Sequence, residues 1–221
     1  MNFLKQIPIT YVGQLHDVKL INFSVDMEEV LPHVPAGIKV RNFDGKAIIS
    51  MVNVKLKQMR PAGLPKNISF EYQHVAFRLL VDDSELNNGD CKGIFFLKSF
   101  TNKPMVAWGG NLMTNYQLSP AKIQDDAEFV LQQEDRFLSY RLTNEKAEVM
   151  PDLKPIIGAI DRAYAMEGEK LMKTQIQREE WPIEWVDCEG FDTNFFQSAR
   201  LLGAFQVKNI IDYQWLPAKM I

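Results

Sequence analysis

The stretch AIISMVNVKLKQM (47–59) constrains this chain more than any other, because its first half is apolar at both odd and even positions and lysines appear only toward its end. KGIFFLKSF (92–100) repeats the pattern, with Phe95 and Leu97 on one parity and Ile94, Phe96 and Phe100 on the other. Successive side chains of a strand point to opposite faces, so a strand of this kind has to be covered on both. A barrel provides both covers, because it has an inside as well as an outside. Further strands are predicted at VKLINFSV (18–25), 38–41, FEYQHVAFRLLV (70–81), 170–178 and 205–215, with a hairpin of 127–133 and 136–143 around Glu134-Asp135. Asn102-Lys103 reads as a tight connection into a strand at PMVAW, hence a second hairpin.

Helical signals are few. Asp26 with Glu29 three residues on reads as a capping box for a short helix stopped by Pro32 and Pro35. Leu112, Met113 and Tyr116 show amphipathic spacing after Gly109-Gly110, a pair read as a positive φ or a close backbone approach. A helix is predicted around 153–166, from Ile156, Ile157, Ile160 and Tyr164. The expected class is mainly β, a β-rich α+β fold, with two or three short helices flanking a barrel and one domain over residues 1–221.

Charge excludes one class of partner. Lys plus Arg total 25 against 28 Asp plus Glu, a net charge of −3, so no summed positive field exists to hold a phosphate backbone and no nucleic-acid partner is expected. The N-terminal MNFLKQIPITYV carries Lys5 and Pro8 without an apolar run long enough for a signal peptide or a membrane span, so the expectation is a soluble, cytoplasmic protein without a membrane partner. Cys91 and Cys188 form no CxxC pair and read as free thiols. His16, His33 and His74 lack metal-ligand spacing, and no nucleotide-binding or nucleophile-elbow motif occurs, so neither metal nor cofactor is expected.

Strand 70–81 carries the strongest site signal. Period 2 places Tyr72, His74 and Arg78 on one face and Glu71 and Gln73 on the other, and a polar face turned into a barrel is either hydrogen-bonded or kept for function. Glu71 and His74 are candidate acid–base groups. Lys98 is read as sharing a face with Phe96 and Phe100, surroundings that lower an amine's pKa and prepare a nucleophile.

The order of VDMEEVLPHVPAGIKV, KPMVAWGGNL and NIIDYQW resembles the acetoacetate decarboxylase-like superfamily, a β-barrel enclosing a pocket. ISMVNVKLKQMRPAGLP, FEYQHVAF and QREEWPIEW (177–185) resemble its branch described only as a conserved domain of unknown function; the likeness spans residues 14–217. In the decarboxylases, a proline, alanine and glycine pattern precedes an adjacent lysine pair, the first of which forms a Schiff base. The resemblance puts Pro104, Ala107 and Gly109 on that pattern but Gln117 and Leu118 on the lysines. It also puts the family's pocket arginine near His16, one glutamate near Ser50 or Met51, and the second on Glu71.

Three functions remain open. The first is a small-molecule-binding barrel without a Schiff-base lysine, using Glu71, His74, His16, Arg78, Trp108, Asn111 and Tyr116. The second is a lyase or hydrolase on a small organic acid or ketone, with Glu71 or His74 as acid–base or Lys98 as a relocated nucleophile. The third is an interaction module with a closed interior. The superfamily resemblance implies self-association as a homo-oligomer.

Overall fold

The computed structural model describes residues 8–113, 117–143, 145 and 153–221. Seven strands close a ring: β1 (Tyr11–Asp26), β3 (Lys46–Pro61), β4 (Phe70–Asp82), β5 (Gly93–Thr101), β10 (Arg162–Glu167), β11 (Lys170–Arg178) and β15 (Ile211–Trp215). Around it run β1–β3, β3–β4 and β4–β5 antiparallel, β5–β10 parallel, and β10–β11, β11–β15 and β15–β1 antiparallel. The short strands β2 (Lys39–Val40), β6 (Leu118–Pro120), β12 (Glu184–Val186), β14 (Arg200–Val207) and β16 (Lys219–Met220) extend the ring. A separate sheet, β7 (Lys122–Asp125), β8 (Phe129–Gln133), β9 (Arg136–Leu142) and β13 (Cys188–Thr193), packs outside it. Among the described residues three short α-helices accompany the sheets, α1 (Met27–Val30), α2 (Pro104–Met113) and α3 (Leu153–Ala159). None of the described helices is long and apolar enough to cross a membrane.

The two-sided apolar pattern resolves into two cores. From β3, Ile48, Val52, Val54 and Leu56 point into the barrel with Ala76 and Leu80 of β4, while Ala47, Ile49 and Met51 point outward with Val75, Phe77 and Leu79. The outer core lies beneath the small sheet, where Phe77 meets Phe195 edge-on at 5.1 Å between centroids and Phe129 stacks on Tyr140 at 4.6 Å. A polar seam ties the small sheet down, for Asp125 accepts hydrogen bonds from Lys19 Nζ (2.7 Å), Gln73 Nε2 (3.1 Å) and Asn53 Nδ2 (3.3 Å).

Bulges adjust which residues face inward. Asp17 and Gln58 adopt left-handed backbone, φ 52° each, where the β1–β3 register shifts. Leu15 and Val18 therefore both reach the interior, as do Leu56 and Met59, despite their odd separations. In β5 the register jumps between the pairs Phe77↔Lys98 and Arg78↔Phe96, leaving Leu97 as the extra residue. Phe96 thus packs with the inner cluster and Phe100 with the outer, so the single face expected for Phe96, Lys98 and Phe100 does not exist.

Other local expectations are corrected. PMVAW is not a strand of a hairpin. Pro104 opens α2, suited to a first helical turn by its fixed φ and missing N–H, and the Lys103 carbonyl accepts from Val106 and Ala107 N–H at 3.0 and 3.1 Å. Gly109 and Gly110 sit within that helix and neither has a positive φ. The helix expected over 153–166 ends at Ala159, and Tyr164 is buried on β10 instead. The run 205–215 divides between β14 and β15. The Asp26–Glu29 capping box does not form, because Glu29 accepts hydrogen bonds from the Gln197 and Ser198 backbone N–H (2.6 and 3.1 Å) and from the Ser198 hydroxyl (2.6 Å). A tertiary set of three donors has displaced one local donor.

Candidate functional site

The barrel interior holds a cavity of about 920 Å³. Its walls are apolar, with Val52, Val54, Leu56 and Ile94 from the strands and Ile157 and Ile160 from α3 and its exit. Leu64, Ile68, Phe70 and Met105, all exposed large apolar residues, surround its mouth.

The polar groups inside are few, and two of them are guanidiniums. Arg78, buried on β4, donates from Nε to the Ser50 carbonyl (3.0 Å) and from Nη2 to the Ser50 hydroxyl (2.9 Å). Burial and then the charge of Arg178 push its pKa down to about 9, so it stays protonated at neutral pH. Arg178 ends β11. Its Nη2 donates to the carbonyls of Gly158 (2.8 Å) and Ile160 (2.9 Å), where α3 ends, and its guanidinium stacks over the Trp181 ring at 4.3 Å. Burial lowers its pKa to about 10, opposed by Asp161. Neither guanidinium bonds a carboxylate among the described residues. For Arg78 that is unusual, because buried charges are ordinarily paired.

His74 lies between these groups and the mouth on the same face of β4. Desolvation and then Arg78 lower its pKa to about 4, which leaves a neutral imidazole at pH 7. Its Nε2, the Tyr11 hydroxyl and the Trp181 Nε1 are buried without a hydrogen-bond partner among the described residues, and all three side chains line the cavity. Tyr213 donates to Met59 Sδ at 2.9 Å, and burial raises the phenol pKa of Tyr72. Because the folded imidazole resists the proton that an unfolded His74 accepts near pH 6.5, its contribution to stability is complete above that value. It is lost as pH falls toward 4. We expect a His74→Gln variant to become more stable than the natural protein, on that comparison, by roughly 2–3 kcal/mol between pH 7 and 4, read from urea unfolding across pH. Parallel pH profiles would show that the imidazole is not desolvated.

The residues singled out in the sequence are distributed unevenly. His74 and Arg78 line the cavity, and Glu71 lines its mouth with its side chain exposed. His16 is half-buried outside the lining, shares a hydrogen bond with Gln14 Oε1 (3.4 Å), and has its pKa lowered by desolvation and Lys57 against Glu71. Lys98 faces the outer core, its Nζ 6.0 Å from the Phe195 ring. Trp108 is 73% exposed, and Asn111 clamps Leu118 by donating to its carbonyl (2.8 Å) and accepting from its N–H (2.7 Å). Tyr116 lies outside the described residues. Leu118, one of the two positions onto which the superfamily resemblance maps the lysine pair, lines the cavity as an apolar side chain. Lys103 is the one lysine among the described lining residues, at the mouth, bonded to the Glu71 carbonyl. Among the described residues no cluster of His, Cys, Asp and Glu could hold a metal ion. Arg178 and Trp181 were missed by sequence reasoning, although the RxxW spacing within QREEWPIEW carries the guanidinium–indole stack.

The closed seven-stranded barrel with short flanking helices is an acetoacetate decarboxylase-like fold. Residues 13–211 match the DUF2071 family, described as an uncharacterized conserved protein, and the chain belongs to that family. Its fold is similar to that of an acetoacetate decarboxylase-like enzyme from Sphingomonas wittichii RW1, with a TM-score of 0.66, 13% identity, and coverage of 99% of this chain and 94% of that one. It is also similar to the enduracididine biosynthesis enzyme MppR complexed with the condensation product of pyruvate and imidazole 4-carboxaldehyde (TM-score 0.63, 10% identity, 96% and 89% coverage). A third is the acetoacetate decarboxylase of Legionella pneumophila subsp. pneumophila str. Philadelphia 1 (TM-score 0.60, 9% identity, 97% and 87% coverage). At these identities the likeness concerns fold alone. No curated protein matches the sequence.

Proposed function

We propose that this protein binds a small molecule non-covalently inside its barrel, as a single cytoplasmic domain without a Schiff-base lysine. The supporting observation is the cavity's own equipment: two guanidiniums, an imidazole and phenols on apolar walls, with the single described lining lysine at the mouth and bonded to a backbone carbonyl. An amine nucleophile needs a depressed pKa in a desolvated pocket. Lys98, whose pKa desolvation lowers, faces the outer core, away from the cavity. Two unpaired cysteines agree with a reducing compartment.

The experiment has two arms. Borohydride reduction in the presence of acetoacetate, followed by intact mass, is expected to give no adduct, and one equivalent of 8-anilinonaphthalene-1-sulfonate is expected to bind saturably to the folded protein. A reduced adduct, or the absence of saturable binding, would overturn the proposal.

A second reading, a lyase or hydrolase, is favoured by the unpartnered His74 Nε2 in the cavity. An imidazole of pKa about 4 is a weak base at neutral pH, and the other candidate, Glu71, is exposed at the mouth. These two features favour binding over turnover.

A further inference from the structure

The cavity holds its two guanidiniums toward one end, while its mouth is rimmed by exposed apolar side chains with Glu71 and Lys103 among them. On β4, Phe70 stands at the mouth and Arg78 at the far end, roughly 25 Å further along the strand at about 3.3 Å per residue. Arg178 is fixed on the carbonyls that end α3, and Ile157 and Ile160 line the cavity beside it. Between that end and the mouth the walls are mostly aliphatic and aromatic, and the exposed Leu64, Ile68 and Met105 continue them outward.

The charges at the far end do not balance. Asp161 is near enough to Arg178 to oppose its deprotonation, although its carboxylate also accepts from Arg162 Nη1 at 3.0 Å. Arg78 has no such partner: Nε and Nη2 are engaged by neutral Ser50 oxygens, and Nη1 has no acceptor among the described residues. About one positive charge is therefore uncompensated in a desolvated place, a vacancy that one monoanionic headgroup fills. A planar carboxylate suits the guanidinium fork, and the orphan polar atoms of His74, Tyr11 and Trp181 line the same cavity.

Resting on the binding reading above, we propose that the ligand is a monocarboxylate with a long unbranched apolar tail, bound head-first. The carboxylate sits at Arg78 and Arg178, and the tail runs along the barrel's apolar walls toward the mouth. This ligand is much larger than a short keto acid, and its recognition uses positions other than those onto which the superfamily resemblance maps the decarboxylase machinery.

The test is calorimetric titration of the delipidated full chain with hexanoate, octanoate, decanoate and dodecanoate, the matching primary alcohols, dodecyl phosphate, and acetoacetate. Affinity for the acids is expected to rise about fourfold per methylene. Each alcohol is expected to bind at least tenfold more weakly than its acid, as is the phosphate dianion relative to dodecanoate. Arg78→Met and Arg178→Met are expected to bring acid affinity down to that of the alcohol while alcohol binding persists, which also shows that the variants are folded. Equal binding of acid and alcohol, or acid preference surviving both substitutions, overturns the carboxylate assignment and leaves the container reading standing. Acetoacetate binding as tightly as decanoate overturns the tail. If neither acids nor alcohols bind, the long-tailed monocarboxylate falls, and the container reading falls with it only where 8-anilinonaphthalene-1-sulfonate also fails to bind.

Discussion

Asp83→Ala is expected to destabilise the folded protein by about 3 kcal/mol, the lower end of what breaking a buried ion pair costs. Asp83 and Arg162 have side chains only 1% and 5% exposed and are joined through Arg162 Nε and Asp83 Oδ2. The same carboxylate accepts from the Tyr164 hydroxyl (2.8 Å), from Asn87 Nδ2 (2.8 Å), and from the backbone N–H of Lys92 (3.2 Å) and Gly93 (3.3 Å). Removing it leaves a buried guanidinium and several donors short of an acceptor. The loss stays at the lower end because Asp90 and Asp161 still accept from Arg162 Nη1, each at 3.0 Å.

The position matters because it guards the ring's parallel seam. β5 and β10 pair over only three residues, Gly93↔Arg162, Ala163↔Ile94 and Tyr164↔Phe95, so the ladder there is short. Gly93 has no room for a side chain, for a Cβ would stand 2.6 Å from both Asp83 Oδ2 and Tyr164 Cε2. Urea unfolding of Asp83→Ala beside Asp90→Asn separates the buried anchor from the exposed one: the first midpoint is expected to fall clearly and the second to stay near that of the natural protein. A loss under 1 kcal/mol for Asp83→Ala would mean the seam is held by packing alone.

The barrel was legible because strands apolar at both parities admit few solutions. AIISMVNVKLKQM required an inside and an outside, and the two cores divide it by parity. The same period 2 put His74 and Arg78 on one face, and that face is the cavity wall. What sequence could not reveal were the breaks in parity. The left-handed residues Asp17 and Gln58 and the bulge at Leu97 are single-residue events set by neighbouring strands, and the last separates Lys98 from Phe96. Helical spacing failed where tertiary partners outweighed it: Tyr164 belongs to the Asp83 network on β10, not to a helix. Nothing in the sequence marks Arg178 at the end of its strand, because what fixes its guanidinium is a pair of backbone carbonyls, Gly158 and Ile160, beside the neighbouring strand β10.

Arg78→Met is expected to act in the opposite direction to most core substitutions and stabilise the ligand-free protein, by about 1–4 kcal/mol. Desolvating a guanidinium costs several kcal/mol, and Arg78 recovers it only through two hydrogen bonds to Ser50, with the like charge of Arg178 nearby. Methionine keeps an unbranched apolar stem against the inner core and removes the charge. The substitution takes one donor each from the buried Ser50 hydroxyl and carbonyl, a smaller loss than the cost of the charge it removes. Equilibrium urea unfolding without ligand measures the difference, and a loss of 1 kcal/mol or more would show that Arg78 serves as a structural strut. A gain would mean that the empty barrel carries a charge it would be more stable without. Such a charge is retained against stability where something else requires it, and the carboxylate ligand proposed above would be that requirement.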